Sequence, residues 1–270
     1  PPDEMGTIQG LMVGGRAMGV VIISGLIGLL VETTSWQAAF ILLAVLTLVP
    51  LPLVLLLKEG ARPPDRKFEW RAFRTFTHWP IIALALLGAL YSFVINGANQ
   101  LVNPLLQQDF GISITTAGLI ATAWGIGVVL GGLTGGRLVD SIGQRKSVLA
   151  AMSITSLSLL AMAAIFNQAV AWGVVILFGL AYGFYETVYF AVSMKKTDPR
   201  IAASMFSILM AIANIGTGIG LGVAGALADG VGFRVTFIIL AGINLLALVL
   251  LPAIFRVAQQ PTQSMETPSL

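Results

Sequence analysis

Gly136-Arg137-Leu138-Val139-Asp140-Ser141-Ile142-Gly143-Gln144-Arg145-Lys146 is a short charged loop between two long apolar runs, 114–135 and 147–166. Runs of that size match the roughly 20 apolar residues that a membrane-spanning helix needs. Outward from this loop, six more runs read the same way: 7–30, 36–57, 80–103, 171–194, 202–227 and 234–255. Each is apolar nearly all round, so they are not the amphipathic helices of a soluble core. The gaps between them alternate in charge. Of the fifteen Lys and Arg residues, all but Arg16 and Arg234 lie in alternate gaps: Lys58 to Arg74, Arg137 to Lys146, Lys195 to Arg200, and Arg256. The gaps near Glu32, Asp109, Asn167 and Asp229 hold only Arg234. Short loops rich in Lys and Arg stay on the cytoplasmic side. The expectation is a multi-pass protein of the cell (inner) membrane, with both termini of this chain cytoplasmic.

Composition agrees. The chain is 57% hydrophobic and 10% charged, with a mean hydropathy of +0.92, far from the balance of a soluble domain. A sequence pI of about 9.5 is explained by the basic loops, so nucleic acid is not an expected partner. There are no cysteines and one histidine, His78, which leaves no thiol or histidine cluster for a metal or a catalytic site. No metal, cofactor or enzymatic activity is expected. The first residues, Pro1-Pro2-Asp3-Glu4, have neither an initiator Met nor the basic start of a signal peptide, and read as a chain entered midway.

The segment from Glu59 to Trp79 is different. Pro63-Pro64 is followed by Phe68, Trp70, Phe73 and Phe76 mixed with Arg66, Lys67, Arg71 and Arg74. It reads either as an interfacial helix on the cytoplasmic membrane surface or as a solvated linker. The polar tail after Arg256 reads as disordered.

The chain also repeats itself. Shifted so that Gly19 meets Gly216, it brings Gly25 and Gly28 onto Gly222 and Gly225 without a gap. Glu32 then meets Asp229, and Trp36 meets Phe233. Glycine faces let helix backbones approach closely inside a membrane. Both matched helix pairs run in the same sense, so the repeat is parallel rather than inverted. On this reading residues 1–57 are the last two helices of an N-terminal six-helix half. Residues 58–79 are a cytoplasmic linker, 80–256 a complete C-terminal six-helix half, and 257–270 the tail. The first half would lack four helices.

The loop quoted above resembles the signature of the major facilitator superfamily, G-x-L-x-D-x-x-G-x-R-[RK], at every specified position and at the matching place between the second and third helices of a half. The resemblance extends over the whole chain, from the fifth family helix to the twelfth. It implies an all-α membrane fold of two six-helix bundles and a secondary transporter working by alternating access. Gly136 and Gly143 would permit the tight connection. Asp140 would offer its carboxylate to the positive N-terminal end of a neighbouring helix, in the family arrangement the one starting near Gly6. Arg145 and Lys146 would bond Asp140 or lipid phosphate. Gly136, Asp140, Gly143 and Arg145 thus read as a conformational latch, or else as a charged turn that anchors topology. The family's antiporter signature, G-x-x-x-G-P-x-x-G-G, fits 19–28 poorly. Ser24 replaces its proline and Ile23 and Ile27 replace two glycines, which counts against an efflux antiporter.

Two helices carry polar stripes. Asn96, Asn99, Gln100 and Asn103 recur at i, i+3, i+4 and i+7, as do Tyr182, Tyr185, Glu186 and Tyr189. Such faces point at a cavity or bond to another helix, because unpaired polar groups in hydrocarbon are costly. The resemblance makes these the seventh and tenth family helices, which line the central cavity. Arg16 lies about 13 Å into its helix at 1.5 Å per residue. It would meet an anionic substrate or coupling carboxylate, or pair with an acid in the absent helices. Glu186 is the best proton-carrying candidate.

The resulting expectation is secondary active transport of a small organic solute, proton-coupled, as an uptake permease or an efflux pump. The partners are that solute, protons and the bilayer, and the full-length protein is monomeric. The alternative is a non-transporting receptor or scaffold, or an inactive truncated transporter.

Overall fold

The structure, a computed structural model, describes residues 4–52, 56, 70–198 and 201–255. Most of the linker and all of the tail therefore lie outside the described residues. Every described element is a helix. α1 (Met5–Thr33) and α2 (Trp36–Leu48) precede a 3-10 helix (Trp70–Thr77). Then come α3 (Trp79–Phe110), α4 (Ile114–Ile142), α5 (Gln144–Ala163), α6 (Gln168–Lys196), α7 (Ala202–Val231) and α8 (Phe233–Leu246). α8 runs on through a 3-10 turn, Ala247–Leu250, and Leu251–Ile254. Seven of the described helices are long and apolar enough to cross a membrane, α8 counted with its extension.

Of the eighth expected span, 36–57, the described α-helix α2 covers 13 residues, and residues 53–55 and 57 lie outside the described residues. Pro50 and Pro52 follow at once, and each removes a backbone donor that a continuing helix needs. Pro252 acts in the same way on α8, which tightens to a 3-10 turn, Ala247–Leu250, just before it. α3 overruns its expected end, passing Pro104 and stopping at Gly111, whose φ of +60° is left-handed. Ser35, Ser113 and Asn167 cap α2, α4 and α6 by accepting from the N–H three residues on.

Of the segment expected as an interfacial helix or a linker, the described part is the 3-10 helix. Its Phe73 and Phe76 rings stack at 6.2 Å and pack on Ile81, Ile201 and Met205. It therefore docks on the protein at the start of α3 and α7.

Small residues bring the helices together. α1 lies antiparallel on α4, and α4 also packs on α6, α3 on α7, and α5 on α6 and α8. A Cβ on Gly10 would sit 2.5 Å from the carbonyl oxygen of Gly132, and one on Gly118 would sit 2.8 Å from that of Ser24. Only glycine admits such contacts. α2 packs mainly on α1 and leaves Trp36, Phe40 and Ile41 exposed, as a lipid-facing or partner-facing helix would.

The two ends of the α1–α4 pair are capped reciprocally. Asp140, in the last turn of α4, accepts from the Gly6 N–H (3.0 Å), the Thr7 N–H (2.8 Å) and the Thr7 hydroxyl (2.8 Å) at the start of α1. Glu32, in the last turn of α1, accepts from the Thr115 N–H at the start of α4 (2.9 Å). Each carboxylate meets the positive end of the other helix.

Candidate functional site

Two charges stand far from the helix ends, and they meet. Arg16, near the middle of α1, donates to and ion-pairs with the carboxylate of Glu186 in α6. The Glu186 side chain is 7% exposed and that of Arg16 58% exposed, so the carboxylate is sheathed by protein while the guanidinium faces open space. Of the alternatives for Arg16, the structure supplies an acid within the chain itself.

The pair borders a cavity of about 340 Å³ whose other polar lining is Tyr91, Ser92, Asn96, Tyr182, Asn214 and Thr217. The Tyr182 hydroxyl donates to Asn96 Oδ1 (3.0 Å). The Asn96 amide donates to Thr217 Oγ1 and to the Ser92 carbonyl, both at 3.1 Å. Arg16 also borders a wider groove of about 670 Å³ along α1, α3 and α4, which includes Ser24, Trp36, Asn103 and Gln107. Asn99 and Asn103 face a third, smaller cavity together with Trp124.

The amide stripe of α3 is thus divided. Asn96 bonds to Tyr182 and α7, and Gln100 is a clamp, its amide donating to the Leu221 carbonyl of α7. Asn99 and Asn103 open into cavities.

The tyrosine face of α6 requires a correction. Tyr182 and Glu186 line the cavity, but Tyr185 and Tyr189 do not. They are 1% and 0% exposed and pack tilted against Tyr91 of α3, with ring centroids at 4.6 and 5.6 Å. At about 100° per residue, positions i, i+3, i+4 and i+7 spread over about 100° of the helix. Tyr185 lies at the edge farthest from Glu186, and Gly88 of α3 makes room for Tyr189.

The latch residues also sort differently from expectation. Gly143 is the turn residue, with φ +83° before α5. Gly136 is not in the turn, because α4 continues to Ile142. It is buried against the Gly6 backbone of α1, where a side chain would overlap the carbonyl. Asp140 bonds to the start of α1 near Gly6, as the resemblance implied, while Arg145, in the first turn of α5, is exposed. Arg234, the one basic residue in the gaps near Glu32, Asp109, Asn167 and Asp229, is paired with Asp109 (2.7 Å) and donates to the Ala163 carbonyl (2.9 Å).

Sequence reasoning missed Tyr91, Trp124, Asn214 and Thr217. Tyr91 and Ser92 extend the α3 stripe back by one turn, and Asn214 and Thr217 stand at i, i+3 in α7. The glycines around that pair drew the reading toward helix packing alone.

The family model of the Major Facilitator Superfamily matches residues 84–269. A gallate transporter of Pseudomonas putida is 29% identical over 177 residues, 66% of this chain and 39% of that protein. A hexuronate transporter of Bacillus subtilis (strain 168) is 25% identical, covering 63% of this chain and 40% of that protein. Among solved structures, the human organic anion transporter MFSD10 (TETRAN) is similar in fold, with a TM-score of 0.59 and 19% identity over 63% of this chain and 40% of that one. The chain spans about two fifths of the length of these relatives. With the signature loop and the multi-pass helical architecture matched by the family model over most of its length, the chain belongs to the Major Facilitator Superfamily.

Proposed function

We propose that the protein is a secondary transporter of a small hydroxylated organic carboxylate, moved by alternating access and coupled to a proton at Glu186. The observation that carries the reading is the Arg16–Glu186 pair, a guanidinium with one side buried against a carboxylate and the other open to a polar cavity. The relatives named for gallate and hexuronate handle solutes of that chemistry, and the amide and hydroxyl lining suits their hydroxyl groups.

The coupling follows from charge. With no solute, Arg16 and Glu186 neutralise each other. A solute carboxylate that takes Arg16 leaves Glu186 an unpaired buried anion unless it gains a proton. Empty and doubly loaded cavities are thus neutral, while singly loaded ones carry net charge in a low-dielectric setting and are disfavoured. Solute and proton therefore move together. Asn96, Tyr182, Asn99 and Asn103 orient the solute, whereas Gln100, Tyr185 and Tyr189 hold the wall. Asp140 with Gly136, Gly143 and Arg145 forms a latch at the end we assign to the cytoplasm of the inner membrane, where both termini of this chain lie. The test is uptake of radiolabelled glucuronate or 3,4,5-trihydroxybenzoate by proteoliposomes with an imposed pH gradient. No accumulation above that in protein-free liposomes sinks the proposal.

A further inference from the structure

A groove of about 470 Å³ lies between α3, α7 and α8, and every described residue lining it is apolar. It shares no lining residue with the three cavities of the candidate site. Its floor follows from a close approach: Gly216 of α7 sits against the Ala89 backbone of α3, where a side chain would overlap the carbonyl. Its third wall follows from Pro252. Leu246, Val249 and Leu250 line it from the stretch where α8 gives up α-helical geometry for a 3-10 turn. On α3, Leu86, Leu90 and Phe93 form its stripe at i, i+4 and i+7, and Trp79 continues that stripe one heptad earlier. Trp79 is 54% exposed and opens α3 just after the 3-10 helix ends. In that 3-10 helix, positions three apart share a row. Phe73 and Phe76 form the row docked on Ile81, Ile201 and Met205, so Arg74 and Thr77 fall in the next row and are exposed. Among the described residues no carboxylate pairs with Arg74. His78, also exposed, stands between that row and Trp79.

The depths match a single leaflet. At 1.5 Å per residue, Trp79 stands about 10 Å from the start of the groove at Leu86 and about 20 Å from its end at Phe93. One leaflet with its headgroups is about 20 Å thick, and tryptophan prefers the headgroup level. Cation, indole and groove thus follow one another in the order of a phospholipid's phosphate, glycerol region and acyl chain. We infer that this face binds one anionic glycerophospholipid, with its phosphate on Arg74 and His78 and one acyl chain in the groove between α3, α7 and α8. The groove alone takes any acyl chain. Charge sets the occupant, because a guanidinium at the membrane surface favours an anionic headgroup over a zwitterionic one on the same chains. The site is independent of which solute the protein moves.

The experiment uses the lack of cysteine. Ile219→Cys, on the groove, carries a bimane fluorophore in phosphatidylcholine nanodiscs. These are doped with phosphatidylglycerol or phosphatidylcholine brominated on the same acyl chains, whose bromines quench the label only at contact. The expected result is half-quenching at about fivefold less brominated phosphatidylglycerol than brominated phosphatidylcholine. Arg74→Gln should remove that preference and leave the phosphatidylcholine curve in place. Arg137→Gln, on α4, should leave both curves in place. Val249→Trp fills the groove and should weaken quenching by both lipids. If Arg74→Gln fails to fold, high salt supplies the same comparison, since it screens an exposed cation. Equal curves for the two lipids, or a preference that survives both Arg74→Gln and high salt, overturn the site. So does a preference lost equally in Arg137→Gln, which marks a basic surface in general, or quenching that Val249→Trp does not change.

Discussion

A guanidinium or a carboxylate alone inside a membrane costs several kcal/mol, and here the two face each other between α1 and α6. Their burial is unequal, so their removal should be unequal. Arg16→Gln leaves Glu186 buried without a counter-charge, whereas Glu186→Gln leaves a guanidinium that is more than half exposed. The first variant should therefore melt below the second, and the double variant should recover most of the loss. Thermal melting of the purified proteins checks this, and strictly additive losses would contradict it. Glu186→Gln should also abolish solute accumulation driven by a pH gradient while sparing solute-for-solute exchange. Uptake that remains uphill in that variant would remove Glu186 from the coupling role. Both residues were legible in the sequence as charges of opposite sign well inside apolar runs. That they meet was not, because nothing in a single sequence says that α1 crosses α6 at that height.

At the scale of elements, α1 and α4 act as one unit with a carboxylate clasp at each end. A cap of this kind is worth about 1 kcal/mol, enough to bias a two-state helix pair several-fold. The chain has no cysteine, so single-cysteine reporters are clean. Asp140→Asn should raise thiol labelling at Gln9→Cys, a site buried beside Met194. Glu32→Gln should raise it at Ser24→Cys, on the groove. Unchanged labelling in either pair rejects that clasp. Gly10→Leu should separate the helices outright, since even a methyl there meets the Gly132 carbonyl, and loss of folded protein by size-exclusion chromatography is the readout. The signature loop made the Asp140 contact with the helix near Gly6 expected from sequence. Glu32 gave no such signal, because an acid at a helix end reads equally well as a solvated loop. Gly136 was placed in the turn because loop motifs are read as loops, yet α4 extends through it. Periodicity put four side chains on one face of α6, but a face about 100° wide met both a cavity and Tyr91, and the neighbour decided which residue went where.

At the scale of the whole molecule, hydropathy and loop charge were enough for an all-α membrane fold, because backbone groups in lipid must be bonded within their own segment. Helix ends were less legible, since Pro50, Pro52 and Pro252 change helix geometry without changing apolarity. In the proposed cycle, clasps at either end of α1–α4 would open alternately, and the Arg16–Glu186 pair would allow the crossing only when the cavity is neutral. The most direct test is uptake of labelled glucuronate and 3,4,5-trihydroxybenzoate into proteoliposomes with and without a pH gradient. The account predicts accumulation of at least one of the two above equilibrium, lost when a protonophore collapses the gradient. Uptake that reaches only equilibrium and ignores the gradient would contradict it.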